Sequence, residues 1–157
     1  MRRPVGPILL LWATALLLTN LGCQKSVVSN ANWPWMPSQV ELHGLSRFML
    51  DADEELLSLR VLFTDGEGDP TKFPGLVTFT ILPESNLDSQ KRTFEFDLAD
   101  SEVNQLHWDR VTMTYRFKLD LEWSQPPLPG TPIRVRVLAT LPGGAVFSSG
   151  ITLRREG

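Results

Sequence analysis

Thr112-Met113-Thr114-Tyr115-Arg116-Phe117-Lys118-Leu119-Asp120-Leu121-Glu122-Trp123 alternates without a break between polar and apolar side chains. Met113, Tyr115, Phe117, Leu119, Leu121 and Trp123 fall on one side of an extended chain, and the polar set falls on the other. Successive side chains of a strand point to opposite faces, so a period of two gives one oily face and one wet face. That split belongs to an antiparallel sheet packed on one side only. The same period recurs on both sides of this stretch. Upstream, Val40 to Leu50 is a strand candidate interrupted at Gly44. Leu57, Leu59, Val61 and Phe63 share a face, as do Val77, Phe79 and Ile81, and Phe94 with Phe96. Downstream, Ile133, Val135, Val137 and Ala139 oppose Arg134, Arg136 and Leu138, and Phe147, Ile151 and Leu153 mark a last strand, with Gly150 read as a bulge.

Turn-forming residues punctuate these runs at Asp65-Gly66-Glu67-Gly68-Asp69-Pro70, Pro126-Pro127-Leu128-Pro129-Gly130 and Pro142-Gly143-Gly144. About seven strands with such punctuation predict an all-β fold, a single antiparallel β-sandwich over 40–157. One stretch breaks the pattern. Leu98, Glu102 and Leu106 stand at helical spacing behind Asp97 and Asp100, either of which can cap a short helix near 98–107 that crosses between the sheets.

The start of the chain is written differently. Met1-Arg2-Arg3 precedes an apolar run from Ile8 to Thr19, and Leu21-Gly22-Cys23 follows. A run of twelve residues suits the core of a secretory signal and falls short of the roughly 20 that a bilayer-spanning helix needs. The expectation is a signal over 1–22, then a linker over 23–39 that is rich in Ser, Asn and Pro. Removing 22 of the 157 residues leaves 135, enough for one domain. The chain carries 15 basic and 18 acidic residues; without Arg2 and Arg3 the balance is 13 against 18, or −5. Nucleic acid is a poor partner for such a surface.

Asn20-Leu21-Gly22-Cys23 resembles the lipobox of bacterial lipoproteins, in which a small residue precedes the cysteine that becomes the mature N-terminus. Gly22 and Cys23 match that pattern; Leu21 stands one place late, and Asn20 departs from it. The resemblance implies a diacylglyceryl thioether on Cys23, a membrane anchor, and, with Gln24 next, an outer-membrane address. Two or three acyl chains hold a protein far more durably than one. The sole cysteine would then be acylated, leaving no thiol for a disulfide. The run Phe63-Thr64-Asp65-Gly66-Glu67-Gly68-Asp69-Pro70 followed by Pro74-Gly75-Leu76-Val77-Thr78-Phe79 is similar to the opening of transthyretin-like, carboxypeptidase-regulatory-like and immunoglobulin-like sandwich domains. The Phe94-Glu95-Phe96 strand and Leu121-Glu122-Trp123 before a Pro-rich turn resemble small uncharacterised bacterial lipoproteins. Neither likeness supplies catalytic positions.

Candidate chemistry is sparse. Asp65, Glu67 and Asp69 alternate between glycines and form the best calcium candidate, since calcium seeks six to eight oxygens. Asp51, Asp53, Glu54 and Glu55 make a second acidic cluster, expected at the other end of the strand that leads to Asp65. His43 and His107 are the only histidines and lie far apart in sequence. No Gly-x-Ser-x-Gly or His-Glu-x-x-His occurs, and no phosphate-cradling glycine loop is present, since Gly66 and Gly68 sit among acids that repel phosphate. Trp33, Trp35 and Trp108 could stack on sugar rings if coplanar and exposed, whereas Trp123 closes the apolar face of its strand and reads as core. The sequence therefore predicts a non-catalytic, lipid-anchored envelope protein that binds a partner or serves a structural role, with no cofactor. Calcium or carbohydrate binding is the second reading, and an unrecognised hydrolase the third.

Overall fold

A computed structural model of the protein describes residues 35–51, 54–84, 90–123 and 125–155. The strands are β1 (Gln39–Leu42), β2 (Arg47–Asp51), β3 (Glu54–Thr64), β4 (Leu76–Pro83), β5 (Arg92–Asp97), β6 (Trp108–Asp109), β7 (Thr114–Asp120), β8 (Pro132–Thr140) and β9 (Val146–Arg154). Helix α1 (Ser101–His107) joins β5 to β6. One antiparallel sheet runs β1-β3-β7-β6, with β2 also on β3; the other runs β5-β4-β8-β9. The fold is an all-β sandwich, and each of the seven expected stretches carries a strand.

Two short strands raise the count among the described residues to nine. The Val40–Leu50 stretch divides because four residues, His43 to Ser46, stand opposite only two, Leu59 and Arg60. The Ser46 hydroxyl fills the gap by accepting from the Arg60 N–H at 3.0 Å. Segment 112–123 is trimmed to Thr114–Asp120, since Met113 and Glu122 adopt left-handed φ values of 54° and 42° and turn the chain at both ends. The bulge expected at Gly150 is absent. β8 and β9 pair without slippage from Pro132↔Arg154 to Thr140↔Val146.

The oily faces meet as the period of two requires. Leu57, Leu59, Val61 and Phe63 of β3, Val77, Phe79 and Ile81 of β4, Tyr115, Phe117 and Leu119 of β7, and Ile133, Val135, Val137 and Ala139 of β8 are all buried. Phe79 and Phe117 touch across the two sheets with centroids 4.9 Å apart, and Phe63 stacks on Phe73 at 4.4 Å. Each fully buried side chain of this size contributes about 1.5–3 kcal/mol. Helix α1 packs against β5 and β7, and β1 lies beside β9.

Helix α1 buries no residue completely, so packing alone does not hold it. Asp100 caps it by accepting from the Glu102 N–H at 2.9 Å, and Asp97 accepts from Ala99 N–H just before. Leu98 is buried ahead of the helix, whereas Leu106 is 79% exposed, so the expected Leu98–Glu102–Leu106 face is not the one the helix turns inward. Asn104 makes the attachment instead. Its amide donates to the carbonyls of Phe73 at 2.9 Å and Leu98 at 2.8 Å, and its oxygen accepts from the Tyr115 hydroxyl at 3.0 Å.

Candidate functional site

The alternation that buries the inner face of β8 turns Arg134, Arg136 and Leu138 outward. On β9, Phe147, Ile151 and Leu153 pack partly against the core, and Ser148, Gly150 and Thr152 face solvent. Gly144, at φ 86°, reverses the chain between the two strands, and the Leu141 N–H donates to the Ala145 carbonyl at 2.9 Å. That bond sets the phase of the ladder, because hydrogen-bonded and non-hydrogen-bonded pairs alternate in an antiparallel pair. Odd-numbered residues of β9 therefore bond to β8. Ser148, Gly150 and Thr152 send their N–H and C=O groups to the free edge. No hydrogen bond from these three residues reaches any other described residue outside the β8 ladder.

The other edges are guarded. β6 has two residues, and the β1–β2 edge is broken at His43 to Ser46. β5 is flanked by α1 and strapped by Arg92, whose guanidinium donates to the carbonyls of Leu121 at 2.9 Å and Glu122 at 3.2 Å. β9 has nine residues, no proline and no inward-pointing charge; β1 approaches it without forming a ladder, and the Leu42 N–H donates to the Ser149 hydroxyl at 3.1 Å. Outward backbone groups left unpaired on a strand edge invite another strand, and proteins ordinarily blunt such edges.

Beside this edge, Arg134, Arg136, Ser148, Gly150 and Thr152 line an open trough of about 400 Å³ on the outer face. Arg136 is in register with Gly150, and Arg134 with Thr152. Both are non-hydrogen-bonded pairs, in which facing residues approach most closely. Arg134 reaches Glu84 at 3.1 Å in an exposed ion pair, while Arg136 has no charged partner among the described residues.

The expected ligand residues are otherwise employed. Asp65 is buried, and its Oδ1 accepts from the N–H groups of Glu67 at 2.9 Å and Asp69 at 3.0 Å. Its carboxylate thus shapes the loop, and the exposed Glu67 and Asp69 do not converge on it as a cage. Among the described residues, no group of three or more His, Cys, Asp and Glu side chains is placed to hold a metal ion. The β2–β3 turn sits at the opposite end of β3 from Asp65, as expected for the second acidic cluster, although Asp53 lies outside the described residues.

Cys23 and Trp33 also lie outside the described residues. Trp35 is 57% exposed, so its ring does not dock on the domain, but the neighbouring Met36 packs against the core. Trp108 leans edge-on to Tyr115 at 5.0 Å and carries the Lys72 ammonium 5.6 Å above its ring, which leaves it half-buried rather than presented as a sugar platform. Trp123 packs partly against the core beneath Arg92. His107 stacks on Phe117 at 4.6 Å, and the Nδ1 of His43 accepts from Leu45 N–H; the two serve different ends of the structure.

The chain matches no protein-family model and no curated protein. The candidate site is a strand edge that β1 approaches at Ser149 but whose outward backbone groups at Ser148, Gly150 and Thr152 have no partner among the described residues, beside a cationic trough, on a chain whose formal charge is −3. Both strands are legible in the sequence but their pairing is not, because nothing in either run states that Arg136 and Gly150 are neighbours.

Proposed function

We propose that this protein is a lipid-anchored binding module of the bacterial cell envelope that takes up an extended segment of an envelope protein along β9. The observation that carries the reading is the nine-residue edge on which Ser148, Gly150 and Thr152 leave their backbone groups unpaired among the described residues. An added strand gains affinity from main-chain hydrogen bonds and selectivity from alternate side chains. The half-buried Phe147, Ile151 and Leu153 offer apolar contacts on its inner side. The anchor rests on the signal-like residues 1–22 and on Cys23, and the lipoprotein kinship is part of the same proposal. No catalytic step enters this reading.

The test combines two arms in intact cells. A photo-cross-linking residue at Thr152 should trap one predominant envelope protein. Gly150→Pro should abolish that adduct without unfolding the domain, since it removes an N–H that faces outward, a setting in which strands tolerate proline. An adduct that persists unchanged in Gly150→Pro would overturn strand addition. For the anchor, Cys23→Ser should move the protein from the membrane fraction to the soluble one. Mass spectrometry finding an unmodified chain that begins upstream of Cys23 would overturn the tether.

A further inference from the structure

Gly150 sits in the middle of β9, where the fold has no need of a glycine. Its φ is not in the left-handed region, and a Cβ there would meet only the Val135 carbonyl oxygen at 3.4 Å, an ordinary contact. Gly75 shows the contrast, since a Cβ at that position would come within 2.3 Å of the Thr140 carbonyl oxygen. A glycine inside a strand costs roughly 0.5–1 kcal/mol relative to alanine. Where the backbone does not demand it, a strand glycine often marks the close approach of another group.

We propose that the segment added to β9 is acidic on its outward face, and that a glutamate or aspartate opposite Gly150 reaches across the bare glycine to Arg136. This rests on the strand-addition reading above and names the chemistry of the partner. Gly150 lies between the free edge and Arg136, with which it is in register. A strand added antiparallel places a residue about 5.5 Å beyond Gly150, and Arg136 lies about 4.5 Å on the other side. A carboxylate side chain and an arginine together span that gap, and any side chain at 150 would stand in it. Arg136 has no charged partner among the described residues to compete for it. The trough carries two arginines and no carboxylate along its walls, although the chain as a whole is acidic. Ser148 and Thr152 flank the crossing with small hydroxyl side chains that can hydrogen-bond the same carboxylate. A second copy of β9 in this place would bring no acid, because Val146–Arg154 contains none.

The experiment uses the full acylated protein in detergent micelles. The probes are fluorescent nine-residue peptides of alternating valine and threonine, with glutamate, glutamine or lysine at the central outward position. The glutamate peptide should bind about five-fold more tightly than the lysine peptide at low salt, the scale of an exposed charge pair. The preference should shrink as salt is raised. Arg136→Glu should invert the order. Gly150→Val should erase the preference while leaving peptide binding in place. If the peptides bind but charge does not matter, the acidic-segment inference falls and strand addition stands. If none binds, or if only self-association through β9 is found, both fall.

Discussion

Tyr115 is the one tyrosine of the chain, and it is fully buried. Its hydroxyl donates to Asn104 and accepts from the Phe73 N–H at 3.0 Å. Burial pushes its pKa up to about 12, against the hydrogen bond from Phe73 that acts the other way. A raised value means that the folded state resists losing the proton. The associated stability is therefore intact below about pH 10 and is lost as pH rises through about 12, a change of about 2–3 kcal/mol. Following the near-ultraviolet tyrosinate band with pH should show a single step near that higher value, and a step at the ordinary one would contradict the buried network. Tyr115→Phe leaves the Phe73 N–H and the Asn104 oxygen without this partner and should cost about 1–3 kcal/mol in urea unfolding. Asp109 shifts in the opposite sense. The Arg60 guanidinium at 2.9 Å, then the Val111 N–H, hold its carboxyl down at about 2. Its contribution is present above the unfolded value of 3.8 and disappears as pH falls from there to about 2. Arg60→Ala should return the Asp109 titration, followed by carboxyl NMR, toward 3.8.

At the scale of elements, α1 depends on polar attachments more than on burial. Asp100→Ala should cost about 1 kcal/mol through loss of the cap. Asn104→Ala should free the helix more than the sheets, so hydrogen exchange should accelerate in Ser101–His107 while β3, β4 and β8 stay protected. The helix start was legible because an aspartate before an apolar-polar run signals a cap. The inward face was not, since Leu98 and Leu106 fit helical spacing while the holding residue is a polar Asn104 whose partners are backbone carbonyls on other segments. The strands were legible for the converse reason: a period of two is a local property that survives any register. Their ends were less so. Met113 belongs to the alternation yet is 43% exposed, because its left-handed turn takes it out of the sheet. Gly75 lets the loop before β4 pass against β8, so Gly75→Ala should lower the thermal midpoint sharply where Gly150→Ala should not.

Across the whole molecule, one aromatic seam joins the layers. Phe79 meets Phe117, Phe117 meets Phe96 at 4.7 Å, and Phe96 meets His107 at 5.0 Å, so the contacts run from β4 through β7 and β5 to α1. Phe79→Ala should cost about 3–5 kcal/mol by denaturant unfolding, the range for an aromatic removed from a packed core. That is a large share of the roughly 5–15 kcal/mol that holds a domain of this size. If the only cysteine is acylated, as proposed, no disulfide could offset the loss.

Alternation by itself determined that the chain is a β-sandwich, and which residues form its oil and which meet water; the order of residues likewise shows an apolar run ahead of a lone cysteine. These are properties of neighbours along the chain. Only the tertiary structure decided which strand edge is left open, and that Arg136 lies across from Gly150 rather than beside a carboxylate. Pairing register is a relation between segments, set by one hairpin and by the volume of the core, so neither run of sequence contains it alone.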